Sequence, residues 1–199
     1  MIIISSPIAI QNEIAIIHSL FQEGMQVFHV RKPDFSIEEL NAVVLAIGLE
    51  YREHLVLHSH HHLAKSLGIH RIHFTESNRT SINESKLKSY KELDFILSTS
   101  THCIEDFNDL DSNFDYAFLS PVYSSISKVD YAPKRDLFEK IKKRTNFKTK
   151  IIGLGGMEAS NIQKTIQAGF DDAALLGTIW NQNNPIENFK ICQQIVHSY

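Results

Sequence analysis

Two glycine-marked segments near the end of the sequence have the composition of a phosphate site. Residues 151–157 read IIGLGGM and residues 172–179 read DAALLGTI, so each is a short apolar run that ends at glycine. Glycine lets backbone N–H groups approach a bound anion closely, and a helix that follows adds a favourable dipole. The predicted phosphate-binding residues are Gly155, Gly156, Gly177 and Thr178.

Polar side chains at two other predicted strand ends could act on a ligand held there. His29 and Arg31 flank Val30, so strand alternation puts both on one face. A buried arginine needs an anionic partner, which is either a protein carboxylate or a ligand. His102 precedes a helix-like segment, where the helix dipole favours the neutral imidazole that serves as a base near pH 7. A purely structural role is the alternative for each of these residues.

A polar loop follows the sixth predicted strand and reads SPVYSSISK over residues 120–128. Its serine hydroxyls are short donors and its lysine is a point charge, which suits a phosphorylated ligand. Ser125, Ser127 and Lys128 are therefore predicted substrate-binding residues. A solvated loop without a ligand is the alternative interpretation.

Residues 58–62 read HSHHH and form a second cluster with chemical potential. Four imidazoles could ligate zinc or another transition metal. On a strand, however, only His58 and His60 would share a face, and no carboxylate completes the set. The sequence leaves metal binding by this run open and assigns no metal ligand.

Short β-rich runs alternate with helical patterns along the whole chain, which predicts a parallel sheet. The predicted strands span residues 2–5, 26–30, 55–58, 71–74, 95–98, 116–119, 151–154 and 173–176. Helices are predicted to begin near residues 11, 36, 61, 83, 103, 135, 158 and 186. Eight such units predict an α/β fold, a (β/α)8 TIM barrel, as a single domain over residues 1–199. An open doubly wound sheet would place its glycine-rich turn after the first strand, where the sequence reads SSP.

Composition limits the partners and the cellular compartment expected for this protein. The formal net charge is −3 and the 20 lysines and arginines are scattered, so no basic surface predicts nucleic acid binding. Cys103 and Cys192 are the only cysteines, which suggests a reducing compartment. No apolar run approaches the roughly 18 residues of a membrane span. We expect a cytoplasmic protein with no membrane partner; a homodimer is compatible with the sequence.

Several segments, taken in order, resemble the thiamine phosphate synthase superfamily, which includes the thiazole tautomerase (TenI-type) branch. They are FHVR at 28–31, STHCIE at 100–105, DY at 115–116, SPVY at 120–123, SISK at 125–128 and GGM at 155–157. The resemblance covers nearly the whole chain and implies a TIM barrel that binds a phosphorylated thiazole.

The chain departs from the synthase pattern at the metal positions. Synthases end strand three in NDD and strand four in GQxD, whereas this chain has HSH at 58–60 and FTESN at 74–78. The alignment puts Ser59 and Asn78 in place of the two Mg²⁺-binding aspartates. A departing pyrophosphate needs its charge neutralised, and neutral ligands should hold Mg²⁺ poorly.

The tautomerase branch does not need that metal. Its reaction aromatises a phosphorylated thiazole carboxylate: a base removes a ring proton, and an acid returns one to the exocyclic carbon. The resemblance implies that His102 is the acid/base, that Arg31 holds the substrate carboxylate and that the glycine turns hold the phosphate. His29 and the loop with Ser125, Ser127 and Lys128 would lie near the heterocycle.

The sequence therefore predicts a thiamine-biosynthesis enzyme, a thiazole tautomerase-like isomerase without a cofactor. The first alternative is thiamine phosphate synthase, a transferase that would use Mg²⁺ to couple thiazole phosphate to hydroxymethylpyrimidine pyrophosphate. A second is a non-catalytic barrel that binds thiazole or thiamine phosphate. A metal-dependent hydrolase that uses His58 and His60 is a further alternative.

Overall fold

The structure, a computed structural model, describes residues 1–124 and 137–198. Eight parallel strands pair in sequence order, and pairing of the first with the last closes the barrel. The strands are β1 (Ile2–Ile4), β2 (Val27–Val30), β3 (Leu55–Leu57), β4 (Arg71–Phe74), β5 (Ile96–Thr101), β6 (Tyr116–Leu119), β7 (Lys150–Leu154) and β8 (Asp172–Leu175). The predicted (β/α)8 TIM barrel is confirmed.

Helices follow every strand within the described residues. They are α1 (Glu13–Gln22), α2 (Ile37–Ile47), α3 (Leu63–Leu67), α4 (Glu76–Ser81), α5 (Glu84–Lys91), α6 (Ile104–Asn108), α7 (Leu137–Ile141), α8 (Ala159–Gln167), α9 (Gly177–Trp180) and α10 (Pro185–Val196). The sequence did not predict α4 and α9, nor the 3-10 helix over Leu49–His54. Both added α-helices are short and lie at the end of the barrel where the strands finish.

Local sequence signals set several helix ends. The Ser36 hydroxyl accepts a hydrogen bond from the Glu39 N–H at 3.2 Å, and the Glu39 carboxylate accepts one from the Ser36 N–H at 2.8 Å. This reciprocal pair is a capping box at the start of α2. Gly68 ends α3 with a φ of 66°, a left-handed conformation that glycine adopts without steric cost.

Strand β5 is longer than the sequence predicted and carries polar side chains into the barrel end. The prediction stopped at Ser98, whereas the strand continues to Thr101. The Thr99 hydroxyl donates to the Phe74 carbonyl at 2.9 Å, and the Thr101 hydroxyl donates to the Phe118 carbonyl at 3.0 Å. Because these hydroxyls bond to neighbouring strands, a polar run that resembles a loop remains strand.

The barrel interior combines a small apolar cluster with buried histidines. The apolar residues that face one another there are Ile2, Ile4, Tyr116, Phe118, Ile152 and Ala174. His29 and His73 are also buried, with 0% and 1% of their surface exposed. A larger apolar core packs the outer faces of the strands against the helices. Within the described part of the chain, no helix has the length and apolarity needed to cross a membrane.

Candidate active site

A cavity of about 650 Å³ opens at the carboxyl ends of the strands. All eight strands or the segments that follow them contribute to its wall. The described lining residues include Ile4, Arg31, His58, His73, Thr75, Glu76, Ser77, Ser100, His102, Phe118, Ser120, Pro121, Leu154, Gly155, Gly156, Met157, Ala174, Leu176, Gly177 and Thr178. This end of a (β/α)8 barrel is where such enzymes place their chemistry.

The turns after β7 and β8 line the cavity with residues whose backbone N–H groups have no partner among the described residues. The N–H groups of Gly155, Gly156, Gly177 and Thr178 make no hydrogen bond to another described residue. The Thr178 hydroxyl donates to the Met157 carbonyl, which joins the two turns side by side. Several free N–H groups that converge beside a cavity form an arrangement suited to an anion. The four residues predicted to bind phosphate thus lie together, and their role stays a prediction.

The glycines after β7 are also required by packing. Gly156 has a φ of 61°, and a Cβ there would lie 2.6 Å from the Ser124 carbonyl oxygen. Gly155 has a φ of 99°, and its Cβ would lie 2.9 Å from the Pro121 Cβ. The Tyr123 N–H donates to the Gly155 carbonyl at 3.1 Å. The described start of the loop after β6, residues 120–124, is therefore fixed directly against the glycine turn.

The predicted substrate-binding residues Ser125, Ser127 and Lys128 lie outside the described residues. The described part of their loop ends at Ser124. Ser120 and Pro121, from the same loop, line the cavity.

Arg31 and Lys32 are adjacent cations in different environments. The Lys32 ammonium group is buried and bonds both carboxylate oxygens of Glu13 at 2.8 and 2.7 Å, which makes it a structural ion pair. Arg31 lines the cavity, and its guanidinium makes no ion pair or hydrogen bond with any residue the structure describes. Among the described groups, Arg31 is therefore a cation available to an anionic ligand.

His102 is held by a backbone carbonyl at the cavity rim. Its Nδ1 lies 2.8 Å from the Ser120 carbonyl oxygen, which can only accept a hydrogen bond. Nδ1 therefore carries the proton in the neutral ring, and Nε2 has the free lone pair. Nε2 lies 3.8 Å from a Glu76 carboxylate oxygen, and 54% of the His102 side chain is exposed. This tautomer and access suit a general base.

Three histidines from neighbouring strands meet at the cavity floor. His29 Nδ1 lies 2.7 Å from His58 Nε2, and His29 Nε2 lies 2.7 Å from the Tyr116 hydroxyl. The His58 and His73 rings stack with their centroids 4.2 Å apart. His58 and His73 line the cavity, whereas His29 lies behind them. The predicted residue His29 is thus part of a buried network and does not itself line the cavity.

Burial keeps this network neutral. Removal from water, with a smaller repulsion from neighbouring imidazoles, lowers the pKa of His29 and His58 well below the usual 6.5. The same desolvation lowers the pKa of His73 to about 3. Burial raises the pKa of Tyr116, which remains a neutral phenol. All four groups are therefore uncharged hydrogen-bonding partners near pH 7.

The tautomer of His73 follows from its neighbours. The Ser98 hydroxyl lies 3.3 Å from the Ile72 carbonyl oxygen, to which it donates. His73 Nδ1, 2.9 Å from the same hydroxyl oxygen, is then the donor to Ser98. His73 Nε2 consequently has the lone pair and accepts from the Ser100 hydroxyl at 3.0 Å.

The HSHHH run does not converge as strand alternation predicts. Strand β3 ends at Leu57, so alternation does not extend to His60. His60 has a φ of 50°, and its Nε2 donates to the Phe35 carbonyl at 3.0 Å. His58 joins His29 and His73 instead. His73 was not predicted as a site residue, although it lies within the predicted strand RIHF and lines the cavity.

The positions aligned with synthase metal ligands do not form a magnesium site. Ser59 and Asn78 are not among the described residues that line the cavity, and Asn78 is exposed within α4. Glu76 contributes the one carboxylate found on the described lining. Mg²⁺ prefers carboxylate oxygens, usually more than one, so the described donors do not fit this metal.

Taken together, the closed sheet and the cavity above it define a (β/α)8 barrel protein whose cavity lies at the carboxyl ends of the strands. The family model described as thiamine monophosphate synthase (TMP-TENI) matches residues 1–179. The chain belongs to this family.

The relatives carry synthase names. A thiamine-phosphate synthase from Streptococcus suis is 22% identical over 184 residues, which cover 88% of this chain and 79% of the relative. The crystal structure of a thiamine phosphate pyrophosphorylase from Bacteroides thetaiotaomicron superposes with a TM-score of 0.75 at 25% identity, over 99% of this chain and 97% of that one. One from Pyrococcus furiosus superposes with a TM-score of 0.78 over 99% and 95% of the two chains, at 14% identity, and supports the fold alone.

Proposed function

We propose that this protein is a metal-independent tautomerase of thiamine biosynthesis that aromatises a phosphorylated thiazole carboxylate. The observation that carries the proposal is the composition of the cavity wall. The wall holds a half-exposed histidine, together with backbone amides and an arginine that have no partner among the described residues, and the described lining contains only one carboxylate. These groups can bind an anionic ligand and move a proton, but they do not neutralise a leaving pyrophosphate.

The substrate has two anionic ends, and the cavity offers a group for each. The amides of Gly155, Gly156 and Gly177 would bind the phosphate, because these residues line the cavity and their N–H groups have no partner in the described part of the chain. Arg31 would bind the carboxylate, because its guanidinium lines the same cavity without an ion pair to a described residue. Two fixed anions would leave the heterocycle between these groups.

His102 is the proposed acid/base. Its Nε2 lone pair removes the ring proton, and the Ser120 carbonyl, bonded to Nδ1–H, stabilises the imidazolium that forms. The electron pair moves through the ring, and Nε2 returns a proton, which can exchange with solvent at the half-exposed ring, to the exocyclic carbon. Atoms and charge balance, and no co-reactant is required. Glu76, 3.8 Å from Nε2, would add electrostatic support to the imidazolium.

Thiamine phosphate synthase is the second candidate, because the relatives named above carry that activity in their names. These names favour the synthase over the tautomerase. The donor set at Ser59, Glu76 and Asn78 favours the tautomerase, since it lacks the carboxylates that Mg²⁺ prefers. The two reactions have different substrates, so they can be separated directly.

A paired assay tests the proposal. The purified protein is mixed with the phosphorylated thiazole carboxylate tautomer in D₂O, and NMR follows aromatisation and deuterium at the exocyclic carbon. In parallel it receives thiazole phosphate and hydroxymethylpyrimidine pyrophosphate, with Mg²⁺ or with a chelator. We expect aromatisation that chelators do not change and negligible thiamine phosphate. Mg²⁺-dependent thiamine phosphate formation at ordinary enzyme rates would establish the synthase instead, and binding without either reaction would establish the non-catalytic alternative.

A further inference from the structure

We propose that His29, His58 and His73 form a binding site for a zinc-class transition metal ion at the floor of the cavity. The inference does not depend on the thiazole substrate, because it concerns the ligand chemistry of these three side chains alone. A metal at this place would be a feature of this chain beyond its proposed proton-transfer reaction.

The geometry brings one ring nitrogen from each histidine into a small volume. The three nitrogens lie within 4.8 Å of one another. Tetrahedral zinc with Zn–N bonds of about 2.0–2.1 Å places ligand nitrogens about 3.4 Å apart. His29 Nδ1 and His58 Nε2 are closer than this, at 2.7 Å. Small side-chain rotations can therefore open that pair and draw in the third ring.

The protonation states already suit metal binding. Neutral imidazole is the ligating form, and burial keeps the pKa values of all three rings low. His73 Nε2 holds a lone pair because Nδ1 donates to Ser98. When a metal replaces the hydrogen bond between His29 and His58, each ring keeps its single proton on the other nitrogen. Binding thus requires a change of tautomer and no loss of a proton.

The surrounding groups are placed as outer-shell partners. A ligating histidine usually donates its second ring N–H to a fixed acceptor, which orients the ring. The Tyr116 hydroxyl lies 2.7 Å from His29 Nε2, and the Ser98 hydroxyl lies 2.9 Å from His73 Nδ1. Both partners are buried, so they hold the rings in place. Ligation would leave these two hydrogen bonds intact.

The donor set selects the class of metal. Three imidazoles without a carboxylate suit zinc, cobalt, nickel or copper, whereas Mg²⁺ and Ca²⁺ require oxygen ligands. His58 and His73 line the cavity, so a fourth coordination position would face it. Three protein ligands with one open position are typical of zinc sites that bind water or substrate.

Metal titration tests the site in the full-length protein. After chelator treatment and dialysis, Zn²⁺ is titrated by calorimetry, and Co²⁺ is added separately to follow its visible absorption. We expect one Zn²⁺ per chain and the absorption of tetrahedral or five-coordinate Co²⁺, with no competition from excess Mg²⁺. His58→Asn and His73→Asn should each weaken Zn²⁺ binding by about 100-fold or more. Absence of Zn²⁺ binding to the wild-type protein would refute the site.

Two histidines outside the cluster, His60 and His62, provide the matched control. The double variant His60→Asn/His62→Asn removes two imidazoles from the same segment and should bind Zn²⁺ as the wild type does. Loss of Zn²⁺ binding in this variant would assign the metal to His60 and His62 and overturn the proposal. Zinc-edge X-ray absorption of the loaded wild type does not depend on any variant folding. It should show three imidazole ligands and no sulfur, and fewer than three imidazoles would contradict the assignment.

Discussion

The two sides of the cavity offer a ligand different kinds of group. On the side of β7 and β8, Gly155, Gly156 and Gly177 line the cavity, and packing excludes a side chain at the first two of them. On the side of β2 to β4, Arg31, His58 and His73 supply side chains. A backbone site binds any anion of suitable size, whereas a side-chain site can select charge, tautomer or metal. Specificity should therefore reside mainly in the β2 to β4 side.

The largest expected effect lies at the rim between these sides. His102→Asn should retain thiazole phosphate binding but lose about 10²–10⁴-fold in aromatisation rate, the usual value of a positioned acid/base. Stopped-flow kinetics measures the loss in aromatisation rate, and calorimetry measures whether thiazole phosphate still binds. If His102→Asn keeps the wild-type rate while His58→Asn is inactive, proton transfer belongs to the histidine floor instead.

A negative charge placed at the glycine turns should disrupt the predicted phosphate site. Gly177→Asp should weaken binding of thiazole phosphate by roughly 100-fold, because the new carboxylate would repel the phosphate at a site that otherwise favours anions. Gly177 does not have a positive φ, so a side chain is compatible with its backbone. Gly156 is less suitable, since any Cβ there meets the Ser124 carbonyl at 2.6 Å.

Gly177→Asn is the matched control for size. It should retain most of the affinity because it adds nearly the same volume without the charge. Equal affinities for the Asp and Asn variants in calorimetric titration would show that the phosphate binds elsewhere.

Arg31→Gln should separate the two anionic ends of the substrate. We expect about 10-fold to 100-fold weaker binding of the thiazole that carries a carboxylate, and little change for thiazole phosphate without one. Lys32 cannot serve as the control, because it is a buried structural cation. A similar loss for both ligands would instead place Arg31 at the phosphate.

The smallest expected effect is a change in the free energy of unfolding per pH unit in acid. It tests the buried histidines His29, His58 and His73. The unfolded chain binds protons near an ordinary histidine pKa of about 6.5, whereas folded His73 stays neutral down to a pKa of about 3. The contribution of neutral His73 to the free energy of unfolding is therefore fully present above pH 6.5, and it is lost progressively as the pH drops towards 3. The slope is about 1.4 kcal/mol per pH unit for each such histidine. His29 and His58 should contribute in the same direction.

Urea unfolding between pH 4 and 7 measures this slope. His73→Asn should reduce it by about one proton, and the exposed control His62→Asn should leave it unchanged. A slope equal to that of the wild type in His73→Asn would mean that this ring is protonated in the folded protein.

Sequence patterns predicted the barrel and the glycine side because both depend on local signals. Strand limits agreed within a few residues, and the turns at Gly155 and Gly177 follow their strands directly. The histidine floor depends on register between strands far apart in sequence: His29 and His58 meet only when β2 pairs with β3. His73 gave a weak signal, because one histidine in a four-residue strand does not reveal which rings it faces.

Helix α4 shows a second limit of the sequence. Thr75 accepts a hydrogen bond from the Asn78 N–H at 3.3 Å and so begins a short helix where the alignment placed a metal ligand. This local cap commits Asn78 to an exposed helical turn. Alignment to a family motif identified the position but could not predict its local conformation.

The contact between the β6 loop and the glycine turn has a consequence for attempts to redesign this barrel. The Val122 and Tyr123 N–H groups donate to the Leu154 and Gly155 carbonyls, so backbone hydrogen bonds join this part of the rim to the turn after β7. Randomised libraries at the glycine turn should yield few folded members. Libraries at Ser77, which lines the cavity from the opposite side and is exposed, should tolerate varied residues. Substitutions that change substrate preference are thus expected on the β2 to β4 side of the cavity and not at the glycine turns.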